Sequence, residues 1–318
     1  MSVRPNGPIR GGVGITLPPN RVDYSPIVDR PPLEWPGGAR VAFWVAPNIE
    51  HYEYLPDYDG VRDPWPRMPS PDVQHYAYRD YGNRIGFWRM LEVLDAHHVK
   101  CGVSLNLAVL EHFHEIARAM VERDWDFMSH GLYNTRYLYT CDEDRERDFY
   151  RDCIETLKRH TGKRLKGMLG PALSGTARTP DLMAEAGLIY HADWVHDDQP
   201  VPIRVAAGKL ISVPYSIELN DAPSFRTSYE GDYFARICKA QFDQLYEEGG
   251  TSGRVMCIAL HPYVIGQPHR IRYLDEILGY ILSHEGVWQA TGDEIAEYYI
   301  ANYYDRMVTR ATGQFPPG

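Results

Sequence analysis

Short apolar runs alternate with amphipathic segments along most of this chain. The runs at residues 41–45, 125–128 and 255–260 have the length and uninterrupted apolar character of strands buried on both faces of a parallel sheet. Between such runs, apolar residues recur at helical spacing, as at Ile85, Trp88 and Leu91. About seven strand–helix units follow one another without an internal repeat or a linker. This order predicts one parallel α/β domain, most simply a (β/α) barrel.

The apolar pattern and the turn signals together set the boundaries of these elements. Strands are predicted at residues 40–46, 100–106, 125–128, 167–171, 188–193, 210–214 and 255–260. One helix is predicted to begin near Tyr81. Further helices are predicted at residues 108–123, 142–161, 179–186, 231–248, 269–284 and 291–303. Thr161 followed by Gly162 is a typical helix stop signal.

Two segments differ in composition from the rest of the chain. Residues 1–38 are rich in Pro, Gly and Arg and predict an extended arm that packs on the main domain, residues 39–318, or on a neighbouring subunit. Residues 51–78 form a long stretch dense in Pro, Tyr and Asp. Loops of that length inside a compact domain are usually functional or disordered. The tyrosines and Trp65 favour a lid or a pocket wall.

Three apolar runs end at side chains suited to acid–base chemistry. Glu50 follows the first strand, His130 ends the third strand within Ser-His-Gly, and His261 follows the run 255–260. The chemistry of α/β barrels and open α/β sheets lies where strands end. The pattern therefore predicts one site assembled from these three residues. A solvated loop carboxylate and hydrogen-bonded core histidines are the structural alternatives.

Other polar residues near strand ends are candidates for substrate binding. Asn48 points to the same side as the carboxylate two positions later if the extended path continues. The pairs Asp197-Asp198 and Asn220-Asp221 follow two later strands, and either pair could position substrate, although such a pair more often forms a cap or turn. Arg84 and Arg270 are suited to binding a carbonyl or carboxylate group, although surface salt bridges are the default role of arginine.

Composition excludes several classes of function. The net charge of −10 argues against a nucleic-acid or anionic-membrane partner, because both need a basic surface. No run approaches the length of a membrane span, and residues 1–20 lack the apolar core of a signal peptide, so we expect a cytoplasmic protein. Five scattered cysteines lack metal-ligand spacing and agree with a reduced compartment. The chain has no phosphate-binding loop, GxSxG elbow or HExxH helix, which excludes the commonest nucleotide, serine-hydrolase and zinc-protease sites.

Several pieces of the sequence occur in the same order in one known family. They are Trp35-Pro-Gly-Gly-Ala-Arg40, Asn48-Ile-Glu50, Tyr81-Gly-Asn-Arg-Ile-Gly-Phe-Trp-Arg89, Ser129-His-Gly131, His196-Asp-Asp198, Pro214-Tyr215 with Leu219-Asn-Asp221, and Leu260-His261 with Ile265-Gly-Gln-Pro-His-Arg270. With these pieces, which span about residues 35–300, the chain resembles the polysaccharide deacetylase superfamily (NodB type, carbohydrate esterase family four). Within it, the chain resembles the branch of metal-independent allantoinases, cyclic imide hydrolases and cytoplasmic peptidoglycan-deacetylase-like proteins.

This resemblance implies a distorted (β/α)₇ barrel that hydrolyses a non-peptide C–N bond. In metal-dependent members an Asp and two His hold the ion, another Asp is the base, and a late His protonates the leaving amine. By position, the base corresponds to Asn48 and the metal carboxylate to Glu50. The two metal histidines correspond to His130 and Asn134, and the late histidine to His261.

Two departures from the family pattern shape the functional prediction. Asn48 cannot act as a base, and Glu50, His130 and Asn134 are weaker than the three strong ligands of a catalytic zinc site. We therefore expect either no cofactor or a weakly bound divalent metal such as zinc. If a metal is bound, these three residues are its predicted ligands.

The expected function is hydrolysis of a small linear or cyclic amide, such as a ureide or imide. In this interpretation Glu50 activates water, His130 orients that water or polarises the carbonyl, and His261 protonates the departing nitrogen. A metal-dependent N-deacetylase of an acetylated sugar and a non-catalytic binding protein are the alternatives. The aromatic loop and the N-terminal arm predict a homo-oligomer. The expected binding partner is a small-molecule amide, which is the substrate.

Overall fold

A computed structural model describes residues 21–56, 71–139, 141–226 and 230–311. Its strands are β1 Val41–Ile49, β2 Gly102–Leu105, β3 Asp126–Ser129, β4 Gly167–Met168, β5 Tyr190–His191, β6 Val201–Ile203, β7 Leu210–Ser212, β8 Arg254–Leu260 and β9 Val287–Gln289. Its helices are α1 Val73–Tyr81, α2 Phe87–Ala96, α3 Ala108–His112, α4 His114–Glu122, α5 Glu143–Thr161, α6 Thr179–Glu185, α7 Asp221–Arg226, α8 Gly231–Glu248, α9 Ile271–Leu282, α10 Gly292–Asn302 and α11 Tyr304–Ala311. A π-helical turn, Gly82–Gly86, joins α1 to α2. Within these ranges, no helix has both the length and the apolar character needed to cross a membrane.

A curled, mainly parallel sheet is the framework of the molecule. Among the described residues, seven strands in the order β7-β5-β4-β3-β2-β1-β8 are joined by parallel pairs, and β6 adds an antiparallel edge beside β7. The short strand β9 pairs with the first residues of β1, from Val41 to Phe43. This arrangement is the α/β fold with the distorted (β/α) barrel that the sequence predicts.

The strand β1 shows how the apolar pattern builds the core. All nine of its residues are buried, as expected for a central strand of a parallel sheet. Phe43 and Val45 join the cluster formed with helices α2, α8 and α9, whereas Ala42 and Trp44 join a second cluster with Tyr190. Successive side chains of the strand therefore pack against opposite faces of the sheet.

Most of the predicted strands and helices are confirmed. The helix predicted at residues 231–248 is α8, and the helix predicted at residues 142–161 is α5. Asp142 caps α5 by accepting a hydrogen bond from the Arg145 amide, and Gly162, with a φ of 71°, ends it in the left-handed conformation.

The differences have local causes. The helix predicted at residues 108–123 is two helices, because Phe113 breaks the path with φ −128° and ψ 71°. The helix predicted to begin near Tyr81 is preceded by α1, which Asp72 caps through the His75 amide. The sequence pattern misses β6 and α7, which contain Pro202 and Pro223, because proline usually signals a turn or a strand edge.

The arm predicted at residues 1–38 lies within the described residues only from residue 21 onward. Trp35 is buried there, and its Nε1 donates a hydrogen bond of 2.8 Å to the Arg254 carbonyl. Arg30 forms an ion pair with Asp197. Residues 21–38 therefore pack on the barrel. The lid predicted at residues 51–78 lies partly outside the described residues, which stop at 56 and resume at 71.

Candidate active site

The carboxyl ends of β1, β3 and β8 bring Glu50, His130 and His261 together. These strands lie near one another in the sheet, so the residues that follow them meet at one edge. The Oε1 atom of Glu50 lies 3.4 Å from His130 Nε2 and 3.5 Å from His261 Nε2. All three side chains are buried. The structure therefore assembles the three residues that sequence reasoning selected as the catalytic group.

These residues line a cavity of about 440 Å³. Polar and aromatic side chains, among them Tyr52, Tyr215 and Tyr263, form its inner wall. Leu173 and Ile217 also line it and are more exposed, at 37% and 39%. A volume of this size suits a small molecule enclosed by a few convergent polar groups.

Glu50 carries a charge that its two histidine neighbours stabilise. Burial raises the pKa of Glu50, but the positive charge of His261 and hydrogen bonds from His130 and His261 outweigh burial and hold the pKa well below its usual range. The carboxylate is therefore ionised at neutral pH. Its second oxygen, Oε2, is buried and has no hydrogen-bond partner among the described residues, so it is available to water or substrate. Asn83 fixes the backbone here by donating to the Glu50 carbonyl at 2.9 Å.

His261 lies between two carboxylates. Its Nδ1 contacts Asp221 Oδ1 at 2.7 Å, and its backbone amide donates to Asp221 Oδ2 at 2.8 Å. Burial lowers the pKa of His261, but the negative charges of Glu50 and Asp221 raise it to about 9. At neutral pH, His261 is therefore an imidazolium that can donate its Nε2 proton toward the cavity.

His130 is oriented by the end of the neighbouring strand. Its Nδ1 lies 2.9 Å from the Leu169 carbonyl, and because a carbonyl only accepts, Nδ1 must hold a proton. Asn106 donates from its side chain to the His130 carbonyl and so fixes the backbone. The remaining ring nitrogen, Nε2, is directed at Glu50.

Asn48 faces the same cavity and has a structural set of hydrogen bonds. Its amide nitrogen donates to Tyr215 Oη at 2.9 Å and to the Leu260 carbonyl at 3.3 Å. An amide has no proton-accepting strength comparable to that of a carboxylate, so Asn48 is not a general base. Its position still allows it to orient a ligand between Tyr215 and Glu50.

The predicted metal ligands include Asn134, whose side chain is a neutral amide. Asn134 donates from its amide nitrogen to Tyr52 Oη, and its Oδ1 is buried without a partner among the described residues. Within those same residues, no group of three or more His, Cys, Asp or Glu side chains could hold a metal ion. Glu50, His130 and Asn134 supply one carboxylate, one imidazole and one amide, which is short of the three strong ligands of catalytic zinc. These residues therefore do not fit a catalytic zinc ion.

The other predicted substrate-binding residues are divided between this cavity and distant positions. Asn220 lines the cavity. Arg84 does not, because its side chain is 72% exposed and pairs with Asp80 on the outside of the helix. Asp198 lines two neighbouring cavities instead, and Arg270 lies over the Phe225 ring at 4.2 Å. The structure does not bring these three side chains to Glu50 and His261.

Sequence reasoning missed several residues of the site, among them Tyr52, Arg79 and Tyr215, and it named Asp221 only as part of the pair Asn220-Asp221. Tyr215 and Asp221 lie within pieces that carry the family resemblance, so this resemblance was the available signal for them. Burial, with the charge of Glu50, raises the pKa of Tyr52 to about 12, so its hydroxyl stays protonated. Tyr52 lies inside the poorly patterned 51–78 stretch and Arg79 directly follows it, and no sequence signal singled out either residue.

Comparison with known proteins shows what the sequence and the fold are similar to. A family model described as polysaccharide deacetylase matches residues 76–191. A Schizosaccharomyces pombe protein assigned to the polysaccharide deacetylases is 27% identical over 301 residues, covering 85% of this chain and 93% of that protein.

Two solved structures extend the similarity to nearly the whole fold. The crystal structure of a probable polysaccharide deacetylase from Pseudomonas aeruginosa PAO1 superimposes with a TM-score of 0.77 at 27% identity, covering 86% of this chain and 96% of the other. The crystal structure of PuuE allantoinase superimposes with a TM-score of 0.77 at 26% identity, covering 91% of this chain and 99% of the other. Residues 76–191 thus carry a polysaccharide deacetylase domain, and the similarity over most of the chain indicates a hydrolase of carbon–nitrogen bonds other than peptide bonds.

Proposed function

We propose that this protein hydrolyses a C–N bond of a small linear or cyclic amide, such as a ureide or an imide. The observation that supports this most directly is an ionised carboxylate, Glu50, that faces the Nε2 atoms of two histidines without a zinc-type ligand set. The cavity of about 440 Å³ suits a small substrate. The similarity to a structure named PuuE allantoinase agrees with this class, because allantoin is a cyclic ureide.

The leaving nitrogen needs a proton, and His261 is the group placed to give it. Asp221 holds the ring through Nδ1 and leaves Nε2 turned toward Glu50 and the cavity. The pKa of about 9 keeps this acid protonated at neutral pH. His261 therefore donates its Nε2 proton to the nitrogen as the C–N bond breaks.

The attacking water needs a proton acceptor, and Glu50 supplies it. While His261 is charged, the low pKa of Glu50 makes it a weak base that mainly orients the water through Oε2. When the His261 proton passes to the leaving nitrogen, that positive charge disappears and the basicity of Glu50 rises. The two proton transfers thus support each other, while His130 positions the water or the carbonyl beside the same carboxylate.

The second candidate is a metal-dependent N-deacetylase of an acetylated sugar. The family match and the names of the Schizosaccharomyces pombe and Pseudomonas aeruginosa relatives favour it. The amide of Asn134 at the second histidine position and the amide of Asn48 at the base position are the features that count against it.

One set of assays separates the two candidates. The protein is dialysed against a chelator, its metal content is measured, and ureides, cyclic imides and N-acetylated sugars are tested with and without added Zn²⁺ or Co²⁺. We expect ring opening or ureide hydrolysis that survives chelation. Acetate release from a sugar, seen only after metal addition, would establish the deacetylase instead.

The role of His261 is tested in the same assay. His261→Ala removes the proton donor and should lower kcat by about 10²- to 10⁴-fold, with an unchanged circular dichroism spectrum. His97→Ala is the control, because His97 pairs with Asp275 outside this cavity and should keep full activity. Full turnover by His261→Ala would exclude this residue as the acid.

A further inference from the structure

Arg79 is a buried guanidinium in the wall of the catalytic cavity, and the proposed mechanism gives it no role. Its side chain comes from the last turn of α1 and is only 8% exposed. It lines the same cavity as Glu50 and His261. Arginine is rarely buried to this extent unless its charge is paired.

The contacts of Arg79 leave part of its hydrogen-bonding capacity unused. Its Nη1 donates to the His75 carbonyl at 3.1 Å. Its Nε is buried and has no hydrogen-bond partner among the described residues. In the same part of the chain, no carboxylate oxygen lies within 4.0 Å of an Arg79 nitrogen. A buried cation with an unpaired donor is costly, so a ligand that pairs with it binds favourably.

The acidic side chains of the site already have other partners. Glu50 faces the two histidines, and Asp221 accepts hydrogen bonds from the His261 amide and the Ile265 amide while it contacts His261 Nδ1. Neither carboxylate therefore forms a direct ion pair with Arg79, although Glu50 is near enough for its charge to favour the guanidinium.

Two aromatic rings hold the guanidinium in place. Its central carbon lies 4.2 Å from the centroid of Tyr52 and 5.7 Å from that of Tyr263. Tyr52 also accepts a hydrogen bond from the guanidinium, whereas Nε keeps no hydrogen-bond partner among the described residues and stays available to a ligand. The fork of N–H donors on arginine matches the two oxygens of a carboxylate.

We propose that Arg79 is a specificity-determining residue that binds a carboxylate group of the substrate. The amide that this enzyme hydrolyses would then carry an acidic group on the part of the molecule that does not react. The proposal rests on the proposed function for the presence of the amide, and it adds the charge of the substrate.

The test compares two probes of nearly the same shape, one with a carboxylate and one with an uncharged amide in its place. Hydantoin-5-acetate and hydantoin-5-acetamide share the same cyclic ureide, and calorimetry gives the Kd of each. Arg79→Gln removes the charge at similar size, and Arg79→Lys keeps the charge without the fork. Arg84→Gln is the matched control, because this nearby arginine is 72% exposed and pairs with Asp80.

We expect the wild type and Arg84→Gln to bind the acetate about ten- to a hundredfold more tightly than the acetamide. In Arg79→Gln the two Kd values should agree within about twofold. The ratio of the two Kd values in Arg79→Lys should lie between that of the wild type and that of Arg79→Gln. Equal Kd values in the wild type, or an equal loss for both probes in Arg79→Gln, would overturn the proposal. Failure of the wild type to bind either probe would overturn it as well. Thermal unfolding of each variant verifies that it is folded.

Ring opening, followed separately, keeps the two proposals distinguishable. A preference for the acetate without ring opening of either probe would contradict the proposed function and leave the role of Arg79 intact. Ring opening of both probes with the same kcat/KM, in the wild type and in Arg79→Gln, would support the function and exclude this role.

Discussion

At the scale of single residues, the acid of the site depends on a carboxylate that does not line the cavity. Asp221 is fully buried behind His261 and contacts its Nδ1 at 2.7 Å. Burial alone lowers the pKa of His261, and the charges of Glu50 and Asp221 together reverse that shift. The working pH range of the enzyme therefore depends on Asp221 as well as on the acid itself.

Asp221→Asn should move the alkaline limb of the pH profile. Because protonated His261 is the active form, kcat/KM of the wild type should fall as the pH rises through about 9. Without the Asp221 charge, the pKa of His261 drops and the fall should begin at lower pH. Asp275→Asn is the control, since Asp275 pairs with the surface residue His97. If the alkaline limb of kcat/KM lies at the same pH in Asp221→Asn and in the wild type, Asp221 does not raise the pKa of His261.

The same residues show how far the sequence predicts the site. Glu50, His130 and His261 each follow an apolar run directly, so local pattern and the geometry of parallel strands suffice to find them. Asp221 meets His261 across 40 positions of chain, and Arg79 reaches the cavity from a helix that follows a poorly patterned stretch. Contacts of that kind depend on how elements pack, which the order of residues does not display.

At the scale of elements, the π-helical turn Gly82–Gly86 supports the loop that follows His261. The turn packs against the backbone of residues 262–263, and a Cβ on Gly86 would lie 2.0 Å from the Pro262 carbonyl oxygen. The backbones approach this closely only because Gly86 has no side chain. The helical spacing predicts a helix at this place, but it does not show that the first turn is a π turn, which is a rare helical form.

Gly86→Ala should therefore damage both stability and catalysis. The added methyl group must displace the Pro262 carbonyl next to His261, so we expect a loss of about 1–3 kcal/mol in the free energy of unfolding and a lower kcat. Gly279→Ala in α9 is the matched control, because its nearest atom lies at 3.5 Å and alanine favours a helix by about 0.5–1 kcal/mol. Urea unfolding and steady-state kinetics measure both effects. Similar stability of the two variants would show that the Gly86 contact is not restrictive.

At the scale of the whole molecule, the barrel could be predicted from the alternation of apolar runs and helical spacing. Long runs such as β1 and β8 pair side by side and are buried along their whole length, so their pattern is unambiguous. The edge strand β6 is short and contains Pro202, so its place beside β7 is decided by pairing rather than by its own sequence. The end of the barrel opposite the site is also built by contacts that the pattern does not show.

A buried cluster at that opposite end links stability to pH. Asp293 accepts a hydrogen bond from Tyr190 Oη at 2.9 Å and lies 3.5 Å from Lys166 Nζ, near the amino ends of β4 and β5. Burial, together with the charge of Asp126, raises the pKa of Asp293 to about 7 and outweighs the effects of Lys166 and Tyr190. In the unfolded chain the carboxyl has its ordinary value of 3.8.

Asp293→Asn should remove this dependence. Because the folded pKa is raised, the stabilising contribution is complete below the unfolded value of 3.8 and is lost as the pH rises through about 7. Between these values, the wild type should lose stability relative to the variant by as much as about 1.4 kcal/mol per pH unit. Urea unfolding at pH 4.5, 6 and 7.5 (roughly spanning this interval) measures the difference. Asp144→Asn is the control, because the Asp144 side chain is 97% exposed, and its free energy of unfolding should change with pH as that of the wild type does. If the free energy of unfolding of Asp293→Asn shows the same pH dependence as that of the wild type, Asp293 does not take up a proton on folding.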